Sequence, residues 1–270
     1  MLLVAATPIG NLGDTSARLS DVLTTADLIV AEDTRTTRSL IAKLGISTSA
    51  EIRALHEHNE SDVLERVLQV AARGVVVLVS DAGMPGISDP GYLLVRRAHQ
   101  QSIPVSVIPG PNAVIAALAA SGLPTDRFCF EGFVPKKGRI AALEELAGER
   151  RTMVFFESPH RLHATLTDMA SVFGEDREAT VARELTKKFE QIRHGTLGDL
   201  VEEFSGDTKG EVTLVVRGAS GPVATFDQAV AMVAERVAAG DKPTHAAKEV
   251  ARETGHPKPG LYRAWLDSGA

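Results

Sequence analysis

Apolar residues in the first part of the chain follow two alternating periods. Short runs at residues 2–6, 28–31, 51–55, 75–79 and 104–108 read as strands, that at 75–79 being β-branched and bounded by Gly74 and Ser80. Between them the apolar positions return every three or four residues. Leu19, Val22, Leu23 and Ala26 share one helical face, and Val63, Val67, Leu68 and Ala71 share another. Ser61 is placed to cap the second of these helices and Gly74 to end it, while Gly45 stops the helix that follows residues 28–31. Further helices are expected at 92–101 and 113–121. Strand and helix in alternation predict a mainly parallel sheet of at least four strands with helices on both faces.

Gly122-Leu123-Pro124 breaks this rhythm. Beyond it, extended segments near 128–133, 153–156, 179–183, 190–195 and 211–217 lie close enough in sequence for several to pair as antiparallel hairpins, which predicts a second α/β domain. Residues 218–222, Gly-Ala-Ser-Gly-Pro, have linker composition. A tail follows, with helices at about 226–239 and 245–254 and a final aromatic turn at Tyr262 and Trp265. Its two helices, joined through Gly240-Asp241-Lys242-Pro243, have the outline of a helix-turn-helix unit. The expected domains are residues 1–122, 123–218 and 223–270.

With 270 residues and 44% hydrophobic content the chain can bury a sizeable core. No apolar run approaches the roughly 18 residues of a membrane span. Residues 1–6 lack the basic lead and the length of a signal peptide, so the expectation is a cytoplasmic protein. A single cysteine, Cys129, excludes an intrachain disulfide framework and fits a reducing compartment. The net charge of −6 argues against nonspecific coating of nucleic acid and leaves local basic clusters to be weighed: Arg35, Arg38 and Lys43; Lys136, Lys137 and Arg139; Lys187, Lys188, Arg193 and His194. In the tail six Lys and Arg face six Asp and Glu. That balance lacks the positive excess of a DNA reader, and a packing or docking module fits it at least as well.

Candidate chemistry concentrates where predicted strands end, since open α/β sheets bind ligands at their carboxyl edge. After 75–79 comes Ser80-Asp81-Ala82-Gly83-Met84-Pro85-Gly86-Ile87-Ser88-Asp89-Pro90-Gly91. This loop cannot form a regular helix but can hold backbone against a small molecule while Asp81 supplies charge; a plain turn is the competing reading. The strand at 28–31 delivers Glu32-Asp33-Thr34-Arg35, and that at 104–108 delivers Pro109-Gly110-Pro111-Asn112. Neither dinucleotide-binding nor P-loop glycine patterns occur. His56-Glu57-His58 makes a poor metal site, because neighbours on an extended segment point to opposite faces. His160 follows Ser158-Pro159 without the nucleophile elbow of a serine hydrolase.

Six segments, read in order, carry a family resemblance. They are the turn at 7–14, Ala31-Glu32-Asp33-Thr34-Arg35, the loop at 80–91, Val107-Ile108-Pro109-Gly110-Pro111-Asn112-Ala113, Phe155-Phe156-Glu157-Ser158-Pro159-His160-Arg161, and Ala182-Arg183-Glu184-Leu185-Thr186-Lys187. Together they resemble the tetrapyrrole methylase superfamily, over residues 2 to about 217. The resemblance implies a two-domain α/β fold with S-adenosylmethionine in the cleft between domains, a small C-terminal helical module, and assembly as a homodimer. It implies cofactor contacts around Pro8 and Gly10, at Asp81 and Met84, at Gly110, Asn112 and Ala113, and from the second domain at Phe156, Ala182 and Thr213. The residue chemistry agrees, since a ligand with ammonium, sulfonium, carboxylate and adenine needs an acidic group, free amides and an apolar slot.

The first loop lacks the richer glycine run of relatives that methylate tetrapyrroles, and the Glu-Asp-Thr-Arg segment resembles the branch acting on small-subunit rRNA, at the ribose 2′-hydroxyl of a cytidine. The implied partner is that rRNA or the assembled small subunit. For such a reaction Glu32, Asp33 and Glu184 are candidates for base or hydroxyl orientation, with helix capping the alternative for the first two. Arg35 and Lys187 could hold adjacent phosphates, and Lys136, Lys137 and Arg139 an RNA face. No metal is implied. Two other readings stay open: a methyltransferase acting on a tetrapyrrole precursor, and a noncatalytic RNA-binding or ribosome-assembly factor built on the same fold.

Overall fold

The apolar runs of the first half become β1 (Leu2–Ala5), β2 (Leu28–Ala31), β3 (Glu51–Ala54), β4 (Val76–Val79) and β5 (Val105–Ile108). In the computed structural model, which describes residues 1–55, 60–219, 224–254 and 256–268, they pair in parallel in the order β3-β2-β4-β1-β5. His56-Glu57-His58, the capping side chain of Ser61, and residues 220–223 with most of the expected linker lie outside the described residues.

Every residue of β2 and β4 is buried, as strands covered on both faces require. Helices α1 (Ala17–Thr25) and α2 (Thr34–Lys43) cover one face with Leu19, Leu23 and Ile41 against Leu3, Ile29 and Val77. On the other face, α3 (Glu60–Ala71) and α4 (Tyr92–Gln100) pack Val67, Leu68, Leu94 and Ala98 against Leu2, Val30 and Leu78. The helices that follow β1 and β2 therefore leave on one side and those that follow β3 and β4 on the other. Such a switch in direction opens a crevice at the carboxyl ends of the neighbouring strands β2, β4 and β1.

Helix α5 (Ala113–Ala120) is apolar almost throughout and joins the two halves. Its Val114, Ala117 and Leu118 pack on Val154 and Val215 of a second sheet, built from β6 (Phe128–Phe133), β7 (Thr152–Glu157), β8 (Glu178–Arg183), β9 (Gln191–Thr196) and β10 (Val212–Val216). The order is β6-β7-β10-β8-β9; β6 and β7 are parallel, and the other pairs are antiparallel. The opposite face is covered by α6 (Arg139–Leu146), α7 (Leu162–Phe173) and α8 (Leu197–Glu203), around Met153, Phe155, Leu162, Leu166 and Leu214. Both sheets belong to one unit, Met1–Gly218.

A second unit, Ala219–Ala270, contains α9 (Phe226–Ala238), α10 (Pro243–Thr254) and α11 (Lys258–Asp267). Thr225 and Gln228 form a reciprocal capping box at the start of α9. Val233, Val250, Leu261 and Trp265 meet in its core. The expected aromatic turn is thus a third helix. Proline in its first turn starts it, and Leu261 and Trp265, four residues apart, share its buried face. No described helix is long and apolar enough to cross a membrane.

Candidate active site

Three strand-end loops of the first sheet are tied together by backbone and side-chain bonds. Thr7, just past β1, and Gly83, just past β4, exchange two backbone hydrogen bonds of 2.9 and 3.1 Å, and the Thr7 hydroxyl donates to the Ser80 carbonyl. The Asp33 amide, beyond β2, donates to the Asp81 carboxylate at 3.2 Å. Asn112 begins α5, its side-chain oxygen accepting from the Ile115 amide at 3.1 Å, which leaves its NH2 group to face a ligand.

These loops form one wall of a cavity of about 460 Å³, within the range of small-molecule sites. Glu32, Asp81, Met84, Asp89, Asn112 and Ala113 line it from the first half, and Phe133, Phe156, Glu157, Glu211 and Thr213 from the second. None of the described residues lining it is Lys, Arg or His. Burial, more than any neighbour, raises the pKa of Glu32, with the charge of Asp81 adding to it. Burial likewise raises that of Asp81. Asp89 is pushed up to about 6, first by burial and then by the Glu32 carboxylate. Ser88 stands in a left-handed conformation, φ 62°, which costs a non-glycine residue about 1 kcal/mol or more and turns the loop so that Asp89 comes back to the cavity wall. Glu157 and Glu211 are paired with Arg161 and Lys187, while Glu32, Asp81 and Asp89 gather carboxylate on the first-half wall, beside an apolar slot of Ile9, Met84, Ala113, Phe156 and Val212. That combination suits a ligand that is cationic and partly apolar.

Six residues expected at the cofactor, Asp81, Met84, Asn112, Ala113, Phe156 and Thr213, line this cavity. Pro8, Gly10, Gly110 and Ala182 stand outside the lining, which takes Ile9 from the first loop instead. Gly110 lies so close to Ala6 that a β-carbon would press on the Ala6 methyl, and Ala182 is buried in the core beside Ile9 and Leu185. A β-carbon on Gly10 would collide with the stem of Lys187, which crosses the loop there.

Among the residues expected to do chemistry, Glu32 alone lines the cavity. Asp33 is the N-cap of α2: it accepts from the Arg35 amide at 2.7 Å and from the Arg35 guanidinium at 2.6 Å, a pairing that pulls its carboxyl down to about 2. Capping, the alternative weighed for Asp33, describes this geometry, and it engages Arg35 as well. Glu184, in a left-handed conformation at the end of β8, accepts from Lys187 Nζ at 2.9 Å and from the Glu211 amide at 3.0 Å. Lys187 also pairs with Glu211 at 3.1 Å. These bonds make Glu184 and Lys187 a clasp between the loop after β8 and residues 210–211 at the cavity.

The basic clusters divide in the same way. Arg139 is half-buried and pairs with Asp168 on α7, with a further bond to Thr165, so its charge is engaged in holding α6 to α7. Arg193 pairs with Glu203, and the His194 ring meets the Thr180 hydroxyl. Lys136 and Lys137 are exposed and form no ion pair among the described residues. Asp89 and Phe133 are lining residues that motif reading did not single out, while Glu211 falls within residues 210–213, which the resemblance implies at the cofactor. Asp89 sits inside a loop already marked as a site, whereas nothing in the spacing around Phe133 points to it.

Comparison with known proteins gives this geometry its context. The chain matches the family described as Tetrapyrrole (Corrin/Porphyrin) Methylases over residues 1–201. It is 48% identical to a protein named Ribosomal RNA small subunit methyltransferase I from Xylella fastidiosa (strain Temecula1 / ATCC 700964), covering 97% of each chain. Against the protein of the same name from Mycobacterium tuberculosis (strain ATCC 25618 / H37Rv) it is 47% identical, over 93% of this chain and 88% of that one. Among solved structures, diphthine synthase superposes with a TM-score of 0.61 at 15% identity, covering 80% of this chain and 89% of that one. Uroporphyrin-III-C-methyltransferase from Thermus thermophilus gives 0.56 at 18%, covering 80% and 93%, a likeness of fold. On residues 1–201 and on identity near one half along nearly its whole length, the chain belongs to the tetrapyrrole methylase family.

Proposed function

We propose that this methyltransferase acts in the cytoplasm on small-subunit rRNA and methylates the ribose 2′-hydroxyl of a cytidine. The observation that carries the reading is the cavity walled by Glu32, Asp81 and Asp89 at the carboxyl edge of the first sheet, in a chain 48% identical to a protein named as an rRNA methyltransferase.

S-adenosylmethionine is the methyl donor, and when bound it supplies an electrophilic methyl on a sulfonium. The lining fits it: Asp81 and Asp89 oppose its positive charge, the Asn112 NH2 and Thr213 hydroxyl offer polar contacts, and Met84, Ala113 and Phe156 take its apolar parts. The acceptor hydroxyl must line up with that methyl and give up its proton. Much of the barrier is a matter of position, which walls drawn from two packed sheets supply. Glu32, in the cavity and raised above the ordinary glutamate range, is the residue assigned to accept the proton. Asp33 and Arg35 hold the start of α2 and so aim Glu32, and the Glu184–Lys187 clasp fixes Glu211 on the far wall. Lys136 and Lys137 hold the RNA backbone. A homodimer is part of the same reading, and the exposed apolar Tyr92 and Val107 beside edge strand β5 favour it.

Incubation with methyl-labelled S-adenosylmethionine and either small ribosomal subunits, protein-free rRNA or porphyrinoid precursors tests the reading. Label on a cytidine ribose is the expected outcome. Label on the porphyrinoid, or cofactor binding with no transfer to RNA, refutes it.

A further inference from the structure

The β6 strand carries a bulge at the point where it reaches the cavity. Its pairing with β7 shifts between Phe130 and Gly132, and Gly132 takes φ 70°, a conformation that favours glycine. In a regular strand Phe130 and Phe133 would point to opposite faces. The extra residue puts both rings on Phe156, with centroids at 4.9 Å for Phe130 and 5.4 Å for Phe133. Phe133 is thereby turned into the mouth of the cavity, where it is 60% exposed. Ile87, 44% exposed, lines the mouth from the first half.

Neighbouring bonds hold this ring in place. The Val134 amide donates to the Phe156 carbonyl at 3.2 Å, and Arg161 donates to the Val134 carbonyl at 3.0 Å. Arg161 is itself pinned by Glu157, which is 2% exposed and also accepts from the Thr165 hydroxyl at 2.6 Å. An aromatic ring kept in water on a rigid support forgoes burial, and planar heterocycles are the ligands that recover it by stacking.

Charge decides which heterocycle. Past Phe133 the chain runs Val134-Pro135-Lys136-Lys137, and both lysines are exposed without an ion pair among the described residues. The inner wall is acidic, with Glu32, Asp81 and Asp89. Phosphates are repelled by that wall and attracted to the lysine loop outside it, so a polyanion can place only one base and its sugar inside. We propose that Phe133 is the stacking platform for the nucleobase of the methyl-accepting nucleotide, which leaves its strand and inserts between Phe133 and Ile87 while Lys136 and Lys137 hold the flanking phosphates.

The inference rests on the RNA reading above, and the test separates the two. Wild type, Phe133→Ala and Phe133→Trp are compared for cofactor affinity by calorimetry and for KM and kcat with the RNA substrate. Fluorescence of a short RNA carrying a fluorescent cytidine analogue reports stacking directly. Expected are an unchanged cofactor Kd in all three, about a tenfold or larger loss of kcat/KM in Phe133→Ala, recovery in Phe133→Trp, and quenching of the analogue only where the ring is present. Lys136→Ala with Lys137→Ala should also lower the slope of log affinity against log salt by about 1.4 units. Wild-type methylation of RNA with equal activity in Phe133→Ala overturns the platform and leaves the RNA reading standing. A weakened cofactor Kd in Phe133→Ala overturns it too, by placing the ring on the cofactor's adenine. Failure of the wild type to methylate any RNA refutes the RNA reading itself.

Discussion

Protonating Asp89 should weaken cofactor binding between pH 7 and pH 5. Burial, then the Glu32 carboxylate, push Asp89 up to about 6; Asp81 adds to this and a Ser80 hydrogen bond opposes it. A bound sulfonium and ammonium favour the ionised carboxylate, so binding lowers its pKa and releases a proton. The sign follows from that release: affinity is low where the free protein keeps the proton, rises with pH through about 6, and levels off above. If the bound-state value falls well below 5, affinity tracks the ionised fraction of the free protein, about 0.1 at pH 5 and about 0.9 at pH 7, roughly a tenfold change. The ligand's own α-ammonium, with a pKa near 8, stays charged throughout. Calorimetry at both pH values, in buffers of different ionisation heat, gives the affinity and the proton count together. Glu32 and Asp81 titrate in the same cavity, and Asp89→Asn separates its share from theirs: the variant should bind more weakly at pH 7 and lose most of the dependence. Equal wild-type affinities at pH 5 and pH 7, or a dependence that survives in Asp89→Asn, refutes the reasoning.

Three further outcomes are expected. Glu32→Gln should lose about 100-fold or more in turnover while cofactor affinity stays within a few-fold, and full activity in a methyl-transfer assay removes its chemical role. Arg161→Ala strands the buried Glu157 carboxylate without its cation, so urea unfolding should show a loss of about 3 kcal/mol; a variant as stable as wild type refutes the role of this ion pair in holding the fold. Burial, with Glu131 adding to it, pushes the Cys129 thiol up to about 12, so the folded protein should resist iodoacetamide at pH 8, and alkylation at the rate of a free thiol contradicts that environment.

What the sequence discloses depends on whether a feature is local. Four of the five strands of the first sheet are short, mainly apolar runs between amphipathic helices, β3 with Glu51 and Arg53 being the exception, and each became a strand within a residue or two of its expected ends. The place of β10 between β7 and β8 is set by pairing over long separations, which no local pattern carries. Helices α6, α7 and α8 all escaped: α6 and α8 are eight and seven residues long, with only Leu143 buried in α6 and Leu197 and Leu200 in α8, too few positions to establish a period, whereas α7, with six buried positions from Leu162 to Phe173, carries a period that was not read. The same division holds at the site. Asp81 follows a strand end and was readable from that alone, whereas Met84, Asn112 and Ala113, though in strand-end loops, were singled out by the family resemblance. Arg139 looked like a free cation because its partner, Asp168, lies 29 residues away on another helix. Asp89 gains its unusual proton affinity only when the fold buries it near Glu32, and Phe133 reaches the cavity only through a bulge.

Net charge alone makes this chain an awkward reader of RNA, and the distribution of its charges removes the difficulty. The carboxylates Glu32, Asp81 and Asp89 come from loops at strand ends of the first sheet, and Lys136 and Lys137, which form no ion pair among the described residues, follow β6 of the second. A cationic donor and a polyanionic acceptor need opposite fields within one molecule, and at physiological salt those fields fade over about 8 Å. Substitutions on the two sides should therefore differ in kind: loss of Asp89 or Asp81 weakens donor binding and leaves the salt dependence of RNA binding intact, whereas loss of Lys136 and Lys137 does the reverse. A single variant on either side that moved both affinities equally would mean that one shared field, rather than two, organises the cavity.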